Sequence, residues 1–173
     1  LLQITLRVFF VMKVKNPKSK GVHQWWTSLH TAAEYGRLDV CNAIMKQIKD
    51  KNPMMASGWT PLHSAARSGH PSVCEAIMNN IINKSPKDKD GLTPLNVAAK
   101  NCHFETCETI LEKVTDKNPA DDKEGHTPYH LAAEYGHTAI CKYMWEHLPD
   151  RNPAIKELGK TALHCAAEKG HVE

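Results

Sequence analysis

A threonine that returns at a nearly constant interval constrains this chain more than any other feature. Thr27, Thr60, Thr93, Thr127 and Thr161 are separated by 33, 33, 34 and 34 residues. Each opens a related heptapeptide. The best formed are Thr60-Pro61-Leu62-His63-Ser64-Ala65-Ala66 and Thr127-Pro128-Tyr129-His130-Leu131-Ala132-Ala133. The other copies are Thr27-Ser28-Leu29-His30-Thr31-Ala32-Ala33, Thr93-Pro94-Leu95-Asn96-Val97-Ala98-Ala99 and Thr161-Ala162-Leu163-His164-Cys165-Ala166-Ala167. A unit of this length must stack on its neighbours to bury its apolar face, so a fixed period means a solenoid. The 41% apolar content of the 173 residues would otherwise suggest one globular core.

The physics inside one unit is legible. Thr60, Thr93 and Thr127 are placed to cap a first helix by accepting a backbone N–H. Pro61, Pro94 and Pro128 then fall at the first helical position, where a missing N–H is harmless. The Ala-Ala pairs have no bulk, so neighbouring helices can approach closely. Gly36, Gly69, Gly136 and Gly170 lie nine residues after a threonine, where a left-handed helix terminus favours glycine. A second helix follows, with one apolar face. Its stripe reads Val40, Cys41, Ile44, Met45, Ile48 in one copy and Val73, Cys74, Ile77, Met78, Ile81 in the next. It continues as Thr106, Cys107, Ile110, Leu111, Val114 and then Ile140, Cys141, Met144, Trp145, Leu148.

The change from 33 to 34 residues has a definite place. Asn52 to Gly58 spans six steps, whereas Asn118 to Gly125 and Asn152 to Gly159 span seven. The helices keep their length and the connecting hairpin absorbs the extra residue. Asn96 stands where other copies have His, and is expected to alter the bonding between adjacent turns. Cys102 stands where other copies have Gly, at a left-handed position that costs a non-glycine residue about 1–2 kcal/mol. The third repeat is therefore expected to be the least regular.

The period and the Thr-Pro-Leu-His turn resemble the ankyrin repeat. Five copies in register cover nearly the whole chain. The resemblance implies an all-α solenoid of stacked helix-turn-helix units with projecting β-hairpin loops, and imidazoles that link neighbouring turns by hydrogen bonds. On this reading residues 1–173 form a single array. Residues 25–57, 58–90, 91–124 and 125–158 are full repeats, and 159–173 start a truncated one. Residues 1–20 read as the second half of another truncated repeat, since Ile4, Thr5, Val8, Phe9 and Met12 repeat the stripe. Arg7 interrupts that run, which is too short to span a bilayer. The chain does not begin with Met and is expected to be a piece of a longer array.

Catalytic and cofactor chemistry find little support. The 22 basic and 19 acidic residues leave a net charge of +3, too small to call for a polyanion partner. No basic stripe with interleaved aromatics suggests nucleic acid, and no segment suggests membrane insertion. The histidines belong to the repeat, and Cys102-His103 and His164-Cys165 lack the paired spacing of a zinc site. No nucleophile elbow, His-Glu-x-x-His helix or Walker loop occurs. Four of the six cysteines, Cys41, Cys74, Cys107 and Cys141, share one repeat position. Helices about 8–10 Å apart hold equivalent residues too far apart for disulfides. These four read as small buried apolar residues of an intracellular, cytoplasmic protein. The expectation is a protein with no enzymatic activity, no metal and no cofactor.

The informative positions are those that vary on the constant frame. After the Ala-Ala pairs come Glu34 and Tyr35, Arg67 and Ser68, Lys100 and Asn101, and Glu134 and Tyr135. After the hairpin glycines come Trp59, Leu92, His126 and Lys160. In the ankyrin family such positions line the concave groove and the hairpin fingers. The resemblance therefore implies a scaffold that presents these side chains to another protein. The alternative is a regulatory or targeting part of a larger enzyme, ubiquitin-ligase component or ion channel.

Overall fold

The computed structural model describes residues 27–155 and 158–171. The helix expected within 1–20 lies outside these residues. The first helices of successive repeats are α1 (Ser28–Glu34), α3 (Pro61–Arg67), α5 (Pro94–Lys100), α7 (Pro128–Glu134) and α9 (Ala162–Lys169). Between them lie the second helices α2 (Leu38–Met45), α4 (Pro71–Met78), α6 (Phe104–Lys113) and α8 (Thr138–His147). Each first helix packs on the next first helix and on its own second helix, and the second helices pack in a parallel row.

Helices of seven to ten residues are marginal alone in water, so stacking must supply their stability. The side chains that do this are those of the apolar stripe. Leu29, Leu62 and Leu95 of the first helices are buried, as are Cys41, Ile44, Cys74, Ile77, Cys107 and Ile110 of the second. They join into one cluster running from Leu29 to Ala162. The last second helix departs from the expectation. Cys141 is only half-buried and Trp145 is 46% exposed, although Met45, Met78 and Leu111 at the equivalent position are buried. Among the described residues no second helix follows α8 to cover that face.

The first helices begin with a reciprocal cap at every threonine. The Thr60 N–H donates to His63 Nδ1 at 3.2 Å, and Thr60 Oγ1 lies 2.9 Å from the same nitrogen. Because a backbone N–H can only donate, Nδ1 is the acceptor and the proton of the neutral ring sits on Nε2. His63 Nε2 then donates to the Leu92 carbonyl at 3.0 Å, in the next repeat. His30 reaches the Trp59 carbonyl at 3.3 Å and His130 the Lys160 carbonyl at 3.2 Å in the same way. Asn96 keeps the cap through Oδ1, and its amide nitrogen donates to the Pro119 and His126 carbonyls at 3.2 and 3.4 Å. The substitution preserves the link and adds a second acceptor to it.

A second row of bonds runs the opposite way. His70 Nε2 donates back to the Glu34 carbonyl at 2.9 Å, His103 to Arg67 at 2.8 Å, His137 to Lys100 at 3.0 Å and His171 to Glu134 at 3.1 Å. These rings lie so close over the preceding turn that a Cβ on Gly36 would sit 2.6 Å from His70 Nδ1. The turn glycine therefore serves two ends, a φ of +63° and clearance for the next repeat's imidazole. Cys102 adopts the same left-handed conformation with φ 63°, and the His137 bond across it is kept. The third repeat is thus as regular as its neighbours, a correction to the sequence expectation. The strain of the missing glycine is confined to one exposed residue.

Among the described residues the hairpins are closed by a few backbone bonds, with one isolated bridge between Ala154 and Thr161, rather than by a strand ladder. Met55 N–H donates to the Trp59 carbonyl and Asp88 to Leu92, at 2.8 and 3.0 Å. In the longer copies Asp121 donates to His126 and Ile155 to Lys160, at 2.9 and 2.8 Å, with one more residue enclosed. The added residue falls inside the closed tip, as the spacing predicts. Asp121 Oδ1 organises its longer tip by accepting the N–H groups of Lys123, Glu124 and Gly125. Neighbouring tips are joined by the Lys89 N–H to the Ser57 carbonyl and by Asp122 to Asp90. The ion pairs Lys87–Asp122 and Lys123–Asp90 reinforce the latter, at 2.7 and 3.0 Å.

Three predictions test this architecture. Burial holds the His63 imidazole at a pKa of about 4, below its usual 6.5, against the raising effect of its bond to Leu92. The unfolded chain takes up this proton first, so His63 contributes fully above pH 6.5 and its contribution fades as pH falls towards 4. The loss is about 3 kcal/mol at full titration. Urea unfolding of wild type should show it, and His63→Asn, which copies the Asn96 geometry, should flatten that part of the pH profile. Thr106 is buried among the second helices and its hydroxyl has no hydrogen-bond partner. Thr106→Val, matching Val40 and Val73, should raise stability by about 1 kcal/mol in the same assay. Burial also pushes the Cys41 and Cys107 thiols up to about 11 and 12. A maleimide should therefore label exposed Cys102 quickly and Cys41, Cys74 and Cys107 only in denaturant.

Candidate interaction surface

The variable positions fall where the frame is firmly fixed. Glu34, Arg67, Lys100 and Glu134 are the last residues of α1, α3, α5 and α7. Tyr35, Ser68, Asn101 and Tyr135 cap the same helices. The carbonyl of each of the four last residues accepts a bond from a histidine of the next repeat. The backbone is thus pinned while the side chains are left to solvent. Tyr35 is 66% exposed and Tyr135 45% exposed. Arg67, Lys100 and Asn101 are exposed, whereas Glu34, Ser68 and Glu134 are half-buried.

Some of these residues are brought into contact. Lys100 Nζ stands 5.4 Å from the centre of the Tyr135 ring, a cation–π geometry. The other side of the cluster is His137, whose ring is stacked on Tyr135 at 6.1 Å. His137 was read only as a repeat feature, yet it both anchors the Lys100 carbonyl and orients the Tyr135 ring. Glu134 pairs with Lys169 at 3.2 Å. Arg67 forms no ion pair among the described residues, and neither does Lys100.

The hairpin row is less free than the sequence suggests. Trp59, Leu92, His126 and Lys160 are all half-buried. Each carbonyl in this row accepts two bonds, one closing its own hairpin and one from the previous repeat's capping side chain. The Trp59 indole donates to buried Ser64 at 3.0 Å, and its ring lies 5.0 Å from that of His63. Its position on the repeat is therefore structural as well as partly exposed. His126 pairs with Glu124 at 3.2 Å and Lys160 with Glu168 at 2.6 Å. The Trp59–Ser64 and Lys160–Glu168 contacts join a hairpin to the helix of the same repeat, whereas His126–Glu124 lies within its hairpin.

A cleft of about 430 Å³ lies between Thr115–Asn118 and Glu146–Pro149. A second of about 380 Å³ lies between Lys49–Asn52 and Asn80–Asn83, with Met54 and Ile82 at its rim. Both occupy the interval between the loops that follow successive second helices, so they are products of the stacking. Among the described residues no group of three or more His, Cys, Asp or Glu side chains is arranged to hold a metal ion. No helix among them is long and apolar enough to cross a membrane.

A family model described as ankyrin repeats matches the sequence in three overlapping copies, over residues 10–87, 29–121 and 114–173. A search of curated proteins returned no match. The matched segments span most of the chain, and the capping threonines, paired helices and closed tips recur through their described residues. This chain belongs to the ankyrin-repeat family.

Proposed function

We propose that this array is a non-catalytic protein-interaction module that binds another protein along the row formed by Tyr35, Arg67, Lys100 and Tyr135. Ankyrin repeats generally act as protein–protein interaction modules. The observation that carries the reading for this chain is the contrast between backbone and side chain in that row. The carbonyls of Glu34, Arg67, Lys100 and Glu134 are held by the next repeat's histidines while two tyrosines and two cations stand in solvent. A rigid, exposed aromatic loses little freedom when it is covered, which is why tyrosine and arginine dominate interface energetics. All six cysteines are free, in keeping with a reducing, intracellular setting.

The test uses a partner recovered by affinity capture on the wild-type chain. Tyr35→Ala and Tyr135→Ala should each weaken its binding by about 2 kcal/mol, with unchanged thermal unfolding. Trp59→Ala is a different case. It removes the indole bond to Ser64 and should lower stability by about 1 kcal/mol besides any effect on binding. Full affinity in both tyrosine variants with an intact fold would move the binding surface away from this row.

A further inference from the structure

We infer that the partner segment is acidic, runs along the stack in an extended polyproline-type helix, and places carboxylates three residues apart against Arg67 and Lys100. The inference rests on the interaction reading above and assigns the chemistry of the ligand.

The charge pattern comes first. Arg67 and Lys100 hold the same place in consecutive repeats, each as the last residue of a first helix whose carbonyl is bonded by the following repeat's histidine. Two like charges therefore face solvent side by side. Neither has a carboxylate partner among the described residues. On one side of this pair the same position is Glu34. On the other it is Glu134, already matched to Lys169 at 3.2 Å. The row thus offers a window of two cations bounded by two carboxylates. An acidic segment with two carboxylates fits that window, and a longer acidic run meets repulsion at either end.

The spacing sets the conformation. Packed helices lie about 8–10 Å apart, so the ends of α3 and α5 that carry Arg67 and Lys100 are spaced by about that distance. A polyproline II helix rises about 3.1 Å per residue with three residues per turn, so side chains three apart lie on one edge about 9 Å from each other. A β-strand sends residues three apart to opposite faces, and an α-helix advances only about 4.5 Å over the same interval. For carboxylates three residues apart, the polyproline form is the one that reaches both cations from one side. The aromatic setting agrees, since such segments dock against exposed aromatic rings. Tyr35 and Tyr135 lie beyond the two cations, one at each end of the window, and the Tyr135 ring is held upright between Lys100 and His137.

The test uses synthetic proline-rich dodecapeptides and the full chain. One peptide carries two glutamates three residues apart, a second has the same composition with the glutamates four apart, and a third carries glutamines. The first should bind about tenfold more tightly than the other two, with the advantage lost as salt is raised. Arg67→Glu and Lys100→Glu should each weaken it about tenfold while leaving the glutamine peptide unchanged. Tyr35→Ala and Tyr135→Ala should weaken all three peptides. Equal binding of the two glutamate spacings, or indifference to both charge reversals, overturns the inference. So does tighter binding of a single-stranded oligonucleotide with the same dependence on Arg67 and Lys100. If captured partner still depends on Tyr35 and Tyr135 while the peptides fail in these ways, the interaction reading stands and only the acidic ligand falls. If the tyrosine variants retain full partner affinity as well, both fall.

Discussion

The two nitrogens of a buried imidazole carry opposite roles, and the stack depends on that division. Nδ1 of His30, His63 and His130 accepts from the threonine that starts its own helix. Nε2 of the same ring donates to the next repeat's hairpin carbonyl. A side chain with one donor and one acceptor on a rigid ring can cap a helix and bridge to a neighbour at once. Asn96 shows that the requirement is for the donor–acceptor pair rather than for imidazole, because its amide supplies both groups at the same site. A protonated ring would lose the acceptor, which is why burial and the neutral form go together here.

That bonding explains why some variable positions are free and others are not. The residues at the ends of the first helices are tied to the frame through their carbonyls, so exposed side chains such as those of Tyr35 and Arg67 remain available. The residues after the hairpin glycines commit their carbonyls twice, and their side chains fold back on the repeat. Trp59 over His63 and Lys160 against Glu168 are the clearest cases. The side chains left exposed on the constant frame are therefore concentrated at the helix ends.

Much of the fold was legible because the repeat presents the same solution several times. The capping threonines, the prolines after them, the stripe of Ile44, Ile77 and Ile110 and the extra hairpin residue all follow from spacing alone. The forward bonds of His30, His63 and His130 were implied by the family resemblance, but the reverse row was not legible. Nothing local in His70 or His103 indicates that its ring crosses to the preceding repeat, since the acceptor is a backbone carbonyl and any residue supplies one. The same holds for Trp59, whose indole partner Ser64 is a small residue within an otherwise conventional helix. Cys102 misled in the other direction. A non-glycine residue in a left-handed turn suggested that the third repeat would be the least regular, but the turn is held by the His137 bond across it and absorbs the strain locally. Trp145 and Cys141 read as core from the stripe, yet burial at those positions needs a neighbouring helix as well as the right residue.

The two rows of histidines run in opposite senses and grip opposite ends of each first helix. The Thr-Pro-Leu-His ring reaches forward from the helix start, and the ring after the turn glycine reaches back to the end of the preceding helix. A seven-residue helix is about 10 Å long, so the two fastenings are well separated. Twisting one repeat against the next about the stack axis must lengthen both bonds together, whereas a bend that opens one end can leave the other intact. The array should consequently be stiff in torsion and more compliant in flexure, with motion expressed as a slow change in curvature rather than as slippage between repeats.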